Sequence, residues 1–180
     1  MKLLPFALAA AFALAAVSAH AQVPAPAPAL KPLTAQTVSK QAVISQKNLS
    51  YVHAMQLAQT AVAVCALNNQ SVAATVVDRS GVVLASLRSN GAGPTSYAGS
   101  ERKAYTAVSF KTPTGTLMER SVNVPNLSNI PGTLALTGGV PIKVGNDVIG
   151  AIGVGGAPSG RIDEQCAEYA INELRPLLGS

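Results

Sequence analysis

The nine residues Val148-Ile-Gly-Ala-Ile-Gly-Val-Gly-Gly156 constrain the fold of this 180-residue chain more than any other stretch. So short an apolar run reads as a strand, and the glycines at 150, 153, 155 and 156 imply that a neighbouring chain segment or helix passes close to its backbone. Pro141 to Val144 precedes it across Gly145-Asn146-Asp147, which predicts a hairpin. Clustered glycines also invite a nucleotide-phosphate reading. Here Pro158 stands where the last glycine of Gly-x-Gly-x-x-Gly belongs, and the chain has no Walker lysine motif, so phosphate binding is not supported.

The rest of the chain supplies what packs against that hairpin. Ser50 precedes a segment, Tyr51 to Leu67, in which Ala54, Leu57, Ala58, Ala61, Val64 and Cys65 recur at helical spacing, with Ser50 placed as N-cap. Val72 to Val77 and Val82 to Arg88 flank the turn Asp78-Arg79-Ser80-Gly81 and predict another hairpin. Ser96 to Phe110 resumes the helical period with Ala104, Ala107 and Val108 as core positions, and Thr114 to Ser121 predicts a short third helix after Pro113. Val124 to Gly132 reads as an ordered loop, Leu134 to Leu136 as a short strand, and Asp163 as the cap of a last helix from Glu164 to about Leu174. The order is helix, hairpin, helix, loop, three strands, helix. It predicts an α+β domain, an antiparallel sheet of about five strands flanked by helices.

Before that domain the sequence changes character twice. Lys2, the apolar stretch Leu3 to Val17 and the site Ala19-His20-Ala21 describe a signal peptide over residues 1–21, hence an exported, periplasmic or extracellular protein beginning at Gln22. The apolar stretch falls short of the roughly 20 residues a membrane span needs, and no later stretch comes close, so no span is expected in the mature chain. Residues 22–44 alternate proline with small residues and predict an extended Pro/Ala-rich spacer, leaving residues 45–180 as the domain.

Cleavage leaves His53 as the one histidine, which excludes a three-His zinc site. The mature chain carries twelve Lys or Arg against eight Asp or Glu, a net charge of +4 spread singly rather than clustered, which argues against nucleic acid as partner. Local context leaves Cys65 and Cys166 open to a bridge, two buried thiols or one reactive thiol. Each cysteine falls on the apolar face of its helix, and with the first and last helices on one sheet the pair is predicted to bridge.

No nucleophile with a base and an orienting third group emerges, so the residues alone imply a small exported binding domain. His53 sits on the polar flank of the first helix, near Gln56 and Thr60, yet a lone imidazole suits an axial bond to haem iron. Glu101, Arg102 and Lys103 read as an exposed charged triplet, although three in a row cannot share one helix face.

Several segments carry a resemblance in matching order: Val76-Val-Asp-Arg-Ser-Gly81, Arg88-Ser-Asn-Gly-Ala-Gly-Pro-Thr-Ser-Tyr97, Glu101 to Ser109, Asn129-Ile-Pro-Gly-Thr-Leu134, Gly138-Gly-Val-Pro-Ile142 and Gly150 to Gly160. Over about 100 residues the chain resembles the GlcG/HbpS family of haem-binding proteins. The resemblance implies an antiparallel sheet flanked by helices, a homo-oligomer, haem as cofactor, and a place in haem uptake, haem degradation or redox sensing, with a sensor or transport protein as partner. It implies a haem contact at Thr133, in the loop with Pro131 and Gly132; on ligand chemistry alone, and with no family match at that residue, His53 is the competitor for the iron. It also implies a surface iron site at Glu101, whose acidic companion position holds Ala98. Charge alone makes Arg88, Arg102 and Lys103 the candidate partners of the haem propionates. The alternative class is an enzyme that degrades haem with peroxide or acts on a small oxygenated metabolite.

Overall fold

The structure, a computed structural model, describes residues 29–30 and 43–178. The chain divides into the units Met1–Ile44 and Ser45–Ser180, and the second holds every helix and strand among the described residues. The expected signal peptide and most of the expected spacer lie outside the described residues.

Ser50 caps α1 (Tyr51–Leu67) by accepting the His53 amide, and α1 buries Ala54, Leu57, Ala58, Ala61 and Cys65. The hairpin β1 (Ala73–Asp78) and β2 (Val83–Arg88) leads to α2 (Pro94–Phe110), α3 (Thr114–Ser121) and a 3-10 turn at Pro125–Asn129. The hairpin β3 (Gly139–Val144) and β4 (Asp147–Gly155) then leads to α4 (Gly160–Leu174). All pairings are antiparallel, and the strand order is β2-β1-β4-β3, so the two hairpins join through their inner strands.

The sheet buries both faces. On one, Val76, Ile142, Ile152 and Val154 pack against Leu57, Ala61, Ala167 and Ile171 of α1 and α4. On the other, Val77, Val148 and Ala151 meet Ala104, Ala107 and Val108 of α2. The close approach expected at the glycines occurs here. A Cβ on Gly153 would run into the Ser100 carbonyl and the Ala104 amide, and one on Gly155 would lie 3.2 Å from the Ser96 carbonyl. Beside that close approach, hydroxyls also link α2 to the sheet: Thr75 Oγ1 lies 2.8 Å from Ser100 Oγ and 2.7 Å from Ser86 Oγ.

Four strands form among the described residues where about five were expected. Leu134–Leu136 has the apolar content of a strand but no ladder, because helix hydroxyls take its backbone groups instead. The Leu134 amide donates to Thr106 Oγ1 (2.7 Å), and Thr114 Oγ1 donates to the Leu136 carbonyl (2.7 Å). The start of α4 also differs from expectation. Ser159 is the N-cap and accepts the Arg161 amide, so the helix begins a turn early and Asp163 is buried within it. Cys65 and Cys166 are bridged with Cα atoms 5.7 Å apart, tying α1 to α4 on their shared face of the sheet.

Candidate functional site

Where β4 ends and α4 begins, the chain leaves an open cleft of ≈ 850 Å³. Its walls are the first turns of α2, the segment Leu134–Thr137, Gly155–Ala157 and the first turn of α4, with Met118 of α3 at one side. Both α2 and α4 begin here, so the positive ends of two helix dipoles share the cleft, and α2 has no side-chain cap on its free amides. Arg102 and Arg161 add two exposed guanidinium groups to its rim. Leu134, Leu136 and Met118 supply apolar surface.

One wall is bare backbone. Gly93 and Gly99 lie on the cleft, and a Cβ added to either would meet nothing within 4 Å. Gly99 is inside α2, where glycine is disfavoured, and no neighbour requires its missing side chain. That contrasts with Gly153, whose missing Cβ is what lets α2 approach the sheet.

At the floor, Lys103 and Asp163 form a buried ion pair with Nζ and Oδ2 2.8 Å apart. Lys103 Nζ also donates to the Val154 carbonyl (2.9 Å), and Asp163 Oδ1 accepts the Ala157 amide (3.1 Å). Gly138, at φ +127°, makes the pair sterically possible, since a Cβ there would lie 2.8 Å from Nζ and 2.9 Å from the Asp163 Cβ. Burial pushes the Asp163 carboxyl above its ordinary 3.8, opposed by the hydrogen bond and charge of Lys103 and by the amides of Ala157 and Gly156. Burial, then the charge of Glu168, likewise raises the neighbouring Glu164.

The residues singled out in the sequence divide accordingly. Arg102 and Lys103 both reach the cleft, but Lys103 is 6% exposed and committed to Asp163, which corrects its placement on an exposed charged face. Thr133 is 4% exposed; its hydroxyl donates to the Ile130 carbonyl (2.8 Å), while its own carbonyl accepts from Arg102 Nη2 (2.6 Å). The threonine therefore holds the arginine rather than lining the cleft. Pro131 and Gly132 are exposed in the preceding turn, with Gly132 against the Tyr105 ring. His53 stands at the start of α1, its Nδ1 2.7 Å from Ser50 Oγ, and does not line the cleft. Arg88 ends β2, donates to the Ala92 carbonyl (2.6 Å) and borders a separate hollow with Asn69 and Asn90. Glu101 is half-buried on α2, and among the described residues no three His, Cys, Asp or Glu side chains gather to hold a metal.

Met118, Arg161 and Asp163 are cleft residues that the sequence reading did not assign. A glycine inside a helical period, Gly99, was the available signal.

By fold and site, this is a small α+β domain of one sheet between helix layers, with an open cation-rimmed cleft at the strand ends. The chain belongs to the HbpS-like family: the family model for haem degrading protein HbpS-like matches residues 49–172. It is similar to a double mutant of Streptomyces reticuli HbpS, at 39% identity over 82% of this chain and 99% of that one, with a TM-score of 0.73. Klebsiella pneumoniae protein ORFY aligns at 25% identity over 75% of this chain and 96% of its own, with a TM-score of 0.71. PduOC, in its haem complex, aligns at 25% identity over 69% of this chain and 94% of its own, with a TM-score of 0.64. No curated protein matches the chain.

Proposed function

We propose that this is an exported haem-binding protein that takes haem in the cleft between α2 and α4. The observation that carries the reading is the wall of bare backbone at Gly93 and Gly99, facing open space and unexplained by packing. A flat macrocycle needs such a surface. The other lining residues fit the same group: Leu134, Leu136 and Met118 offer apolar contact at about 25 cal/mol per Å² buried, before the costs of association. Arg102, steadied by the Thr133 carbonyl, and Arg161 suit two propionates, aided by the two helix starts. When bound, haem supplies the redox chemistry of its iron; the chain's own residues bind the ring, orient the carboxylates and set how much water reaches it. Membership of the HbpS-like family and the haem complex of PduOC support haem as the ligand.

The test is a haem titration of the chain from Gln22 onward. A shifted, saturable Soret band that weakens about fivefold or more in Arg102→Ala is expected, since one charge-assisted hydrogen bond contributes about 1 kcal/mol at an exposed site. No Soret shift overturns the reading. His53→Ala is expected to change nothing. The family's description as haem degrading favours an enzymatic second reading. Loss of the Soret band with peroxide, accompanied by biliverdin-like products or released iron, would establish it.

Export rests on the pattern of residues 1–21, and secreted protein starting at Met1 rather than Gln22 would refute it. We also propose a homo-oligomer, because exposed apolar side chains such as Val83 and Leu87 along β2, with Val82 just before it, leave an edge strand uncovered. A monomer by light scattering at tens of micromolar, a concentration at which obligate assemblies persist, excludes it. A transport or sensor protein is the partner such a binder would serve.

A further inference from the structure

We propose that Tyr105 is a positioning residue for the haem carboxylates: its ring, wedged between Gly81 and Gly132, holds the turn whose Thr133 carbonyl steadies Arg102. The inference rests on the haem reading above, which takes Arg102 as a carboxylate partner, and concerns what keeps that guanidinium in place.

An exposed arginine samples many rotamers, and ordering one only when the ligand arrives weakens binding. Arg102 is ordered beforehand by its 2.6 Å bond from Nη2 to the Thr133 carbonyl. That bond is only as steady as the turn, residues 130–133, that presents the carbonyl. The turn closes on itself, since the Thr133 amide and hydroxyl both donate to the Ile130 carbonyl, at 3.2 and 2.8 Å. Ile130, Pro131 and Gly132 are exposed, so burial does little to hold them down.

Three residues of α2 hold the turn, at the i, i+3, i+4 spacing that puts them on one face of the helix. Arg102 donates to the Thr133 carbonyl, Thr106 Oγ1 accepts the Leu134 amide (2.7 Å), and Tyr105 meets Gly132. Tyr105 is the one that brings in a second support. Opposite edges of its ring face two glycines: Cδ2 and Cε2 lie 2.9 and 3.0 Å from where a Cβ on Gly81 would stand, and Cε1 and Cδ1 lie 3.6 and 3.9 Å from that of Gly132. Gly81 and Gly132 have φ of +82° and +79°, the left-handed conformation that lets each turn bend tightly beside the ring. The β1–β2 turn that carries Gly81 is firmly closed. Asp78 Oδ1 accepts the Ser80 and Val82 amides at 2.8 and 3.0 Å, and the Asp78 carbonyl accepts the Gly81 amide at 3.0 Å. The ring therefore braces an exposed turn against a fixed one. Its carbon edges make both contacts, and the phenol hydroxyl is not needed for either.

The experiment compares haem affinity, by Soret titration, in wild type, Tyr105→Ala, Tyr105→Phe, Arg102→Ala and the variant combining Tyr105→Ala with Arg102→Ala. Hydrogen exchange at the Leu134 amide is followed in the ligand-free proteins. Tyr105→Ala is expected to weaken haem binding about fivefold, as Arg102→Ala does, and to speed exchange at Leu134. The combined variant should be no weaker than Arg102→Ala, because both changes act through one guanidinium. Tyr105→Phe should bind and exchange like wild type. Should Tyr105→Ala not fold, Tyr105→Leu, which keeps apolar bulk without the reach of the flat ring, carries the same comparison. Unchanged affinity in Tyr105→Ala, or losses that multiply in full in the combined variant, would overturn the inference and leave the haem reading standing. So would a Tyr105→Phe as weak as Tyr105→Ala, since the hydroxyl would then be a ligand contact in its own right. If wild type shows no Soret shift, both are overturned.

Discussion

Replacing Gly99 with alanine separates the two demands made on α2, stability and access to the cleft. Glycine inside a helix costs roughly 0.5–1 kcal/mol relative to alanine, mainly through the freedom it keeps when unfolded. Gly99 has an ordinary helical backbone, being absent from the positive-φ glycines, and an added Cβ would meet nothing within 4 Å. No clash therefore offsets the gain. Gly99→Ala is expected to stabilise the ligand-free protein by about 0.5–1 kcal/mol, or roughly 2–5 °C in Tm for a domain of this size. The same methyl would project from the bare wall into the space assigned to the macrocycle. Overfilling a fitted surface costs about 1–3 kcal/mol, so haem affinity should fall by roughly five- to a hundredfold. Urea unfolding of the apo protein and a Soret titration measure the two halves. A destabilised apo protein would mean that Gly99 has a packing role after all, and a stabilised protein with unchanged affinity would mean that no ligand approaches this wall.

Gly153→Ala should do the reverse, losing about 3 kcal/mol by driving Ser100 and Ala104 off the sheet; urea midpoints within 0.5 kcal/mol of wild type, about the error of such comparisons, would refute the close-packing account. Reducing the Cys65–Cys166 bridge opens a loop of 101 residues and should lower stability by up to about 4.7 kcal/mol in the chain-entropy model, read from urea curves with and without reductant; thiols titrating in the unreduced, denatured protein would exclude the bridge. Asp163 takes up its proton more tightly folded than unfolded, so its contribution is fully present below 3.8 and is lost as pH rises through the raised folded value. Stability measured from pH 3 upward should therefore show a downward component that Asp163→Asn removes, and identical pH profiles would contradict it.

Much of the fold was legible because it is written locally. The apolar period of Tyr51–Leu67 with Ser50 before it specified α1, and alternating runs around glycine turns specified both hairpins. The failures were long-range. Lys103 looked exposed because its partner lies 60 residues away, and nothing near either residue announces the pairing. Leu134–Leu136 looked like a strand because periodicity cannot reveal that Thr106 and Thr114 would capture its backbone groups. Some signals were local and underweighted. Pro94 at the first position of α2 and Ser159 before α4 are both helix-start residues, and each helix begins there rather than at the later position expected. The cleft was the least legible feature, since four separated segments build it and Thr133 serves it only by holding Arg102.

The bridge between the first helix and the last also determines how the domain carries mechanical load. A pull applied between residue 45 and residue 178 runs along α1 to Cys65, crosses to Cys166 and leaves through the rest of α4. The sheet, α2, α3 and the cleft all lie in the closed loop between the two cysteines, off that covalent path. A single proteolytic cut in the turn around residues 122–132 would likewise leave both fragments covalently joined. While the bridge is intact the cleft thus stays off the covalent path between the ends of the domain, and reduction puts it back on that path.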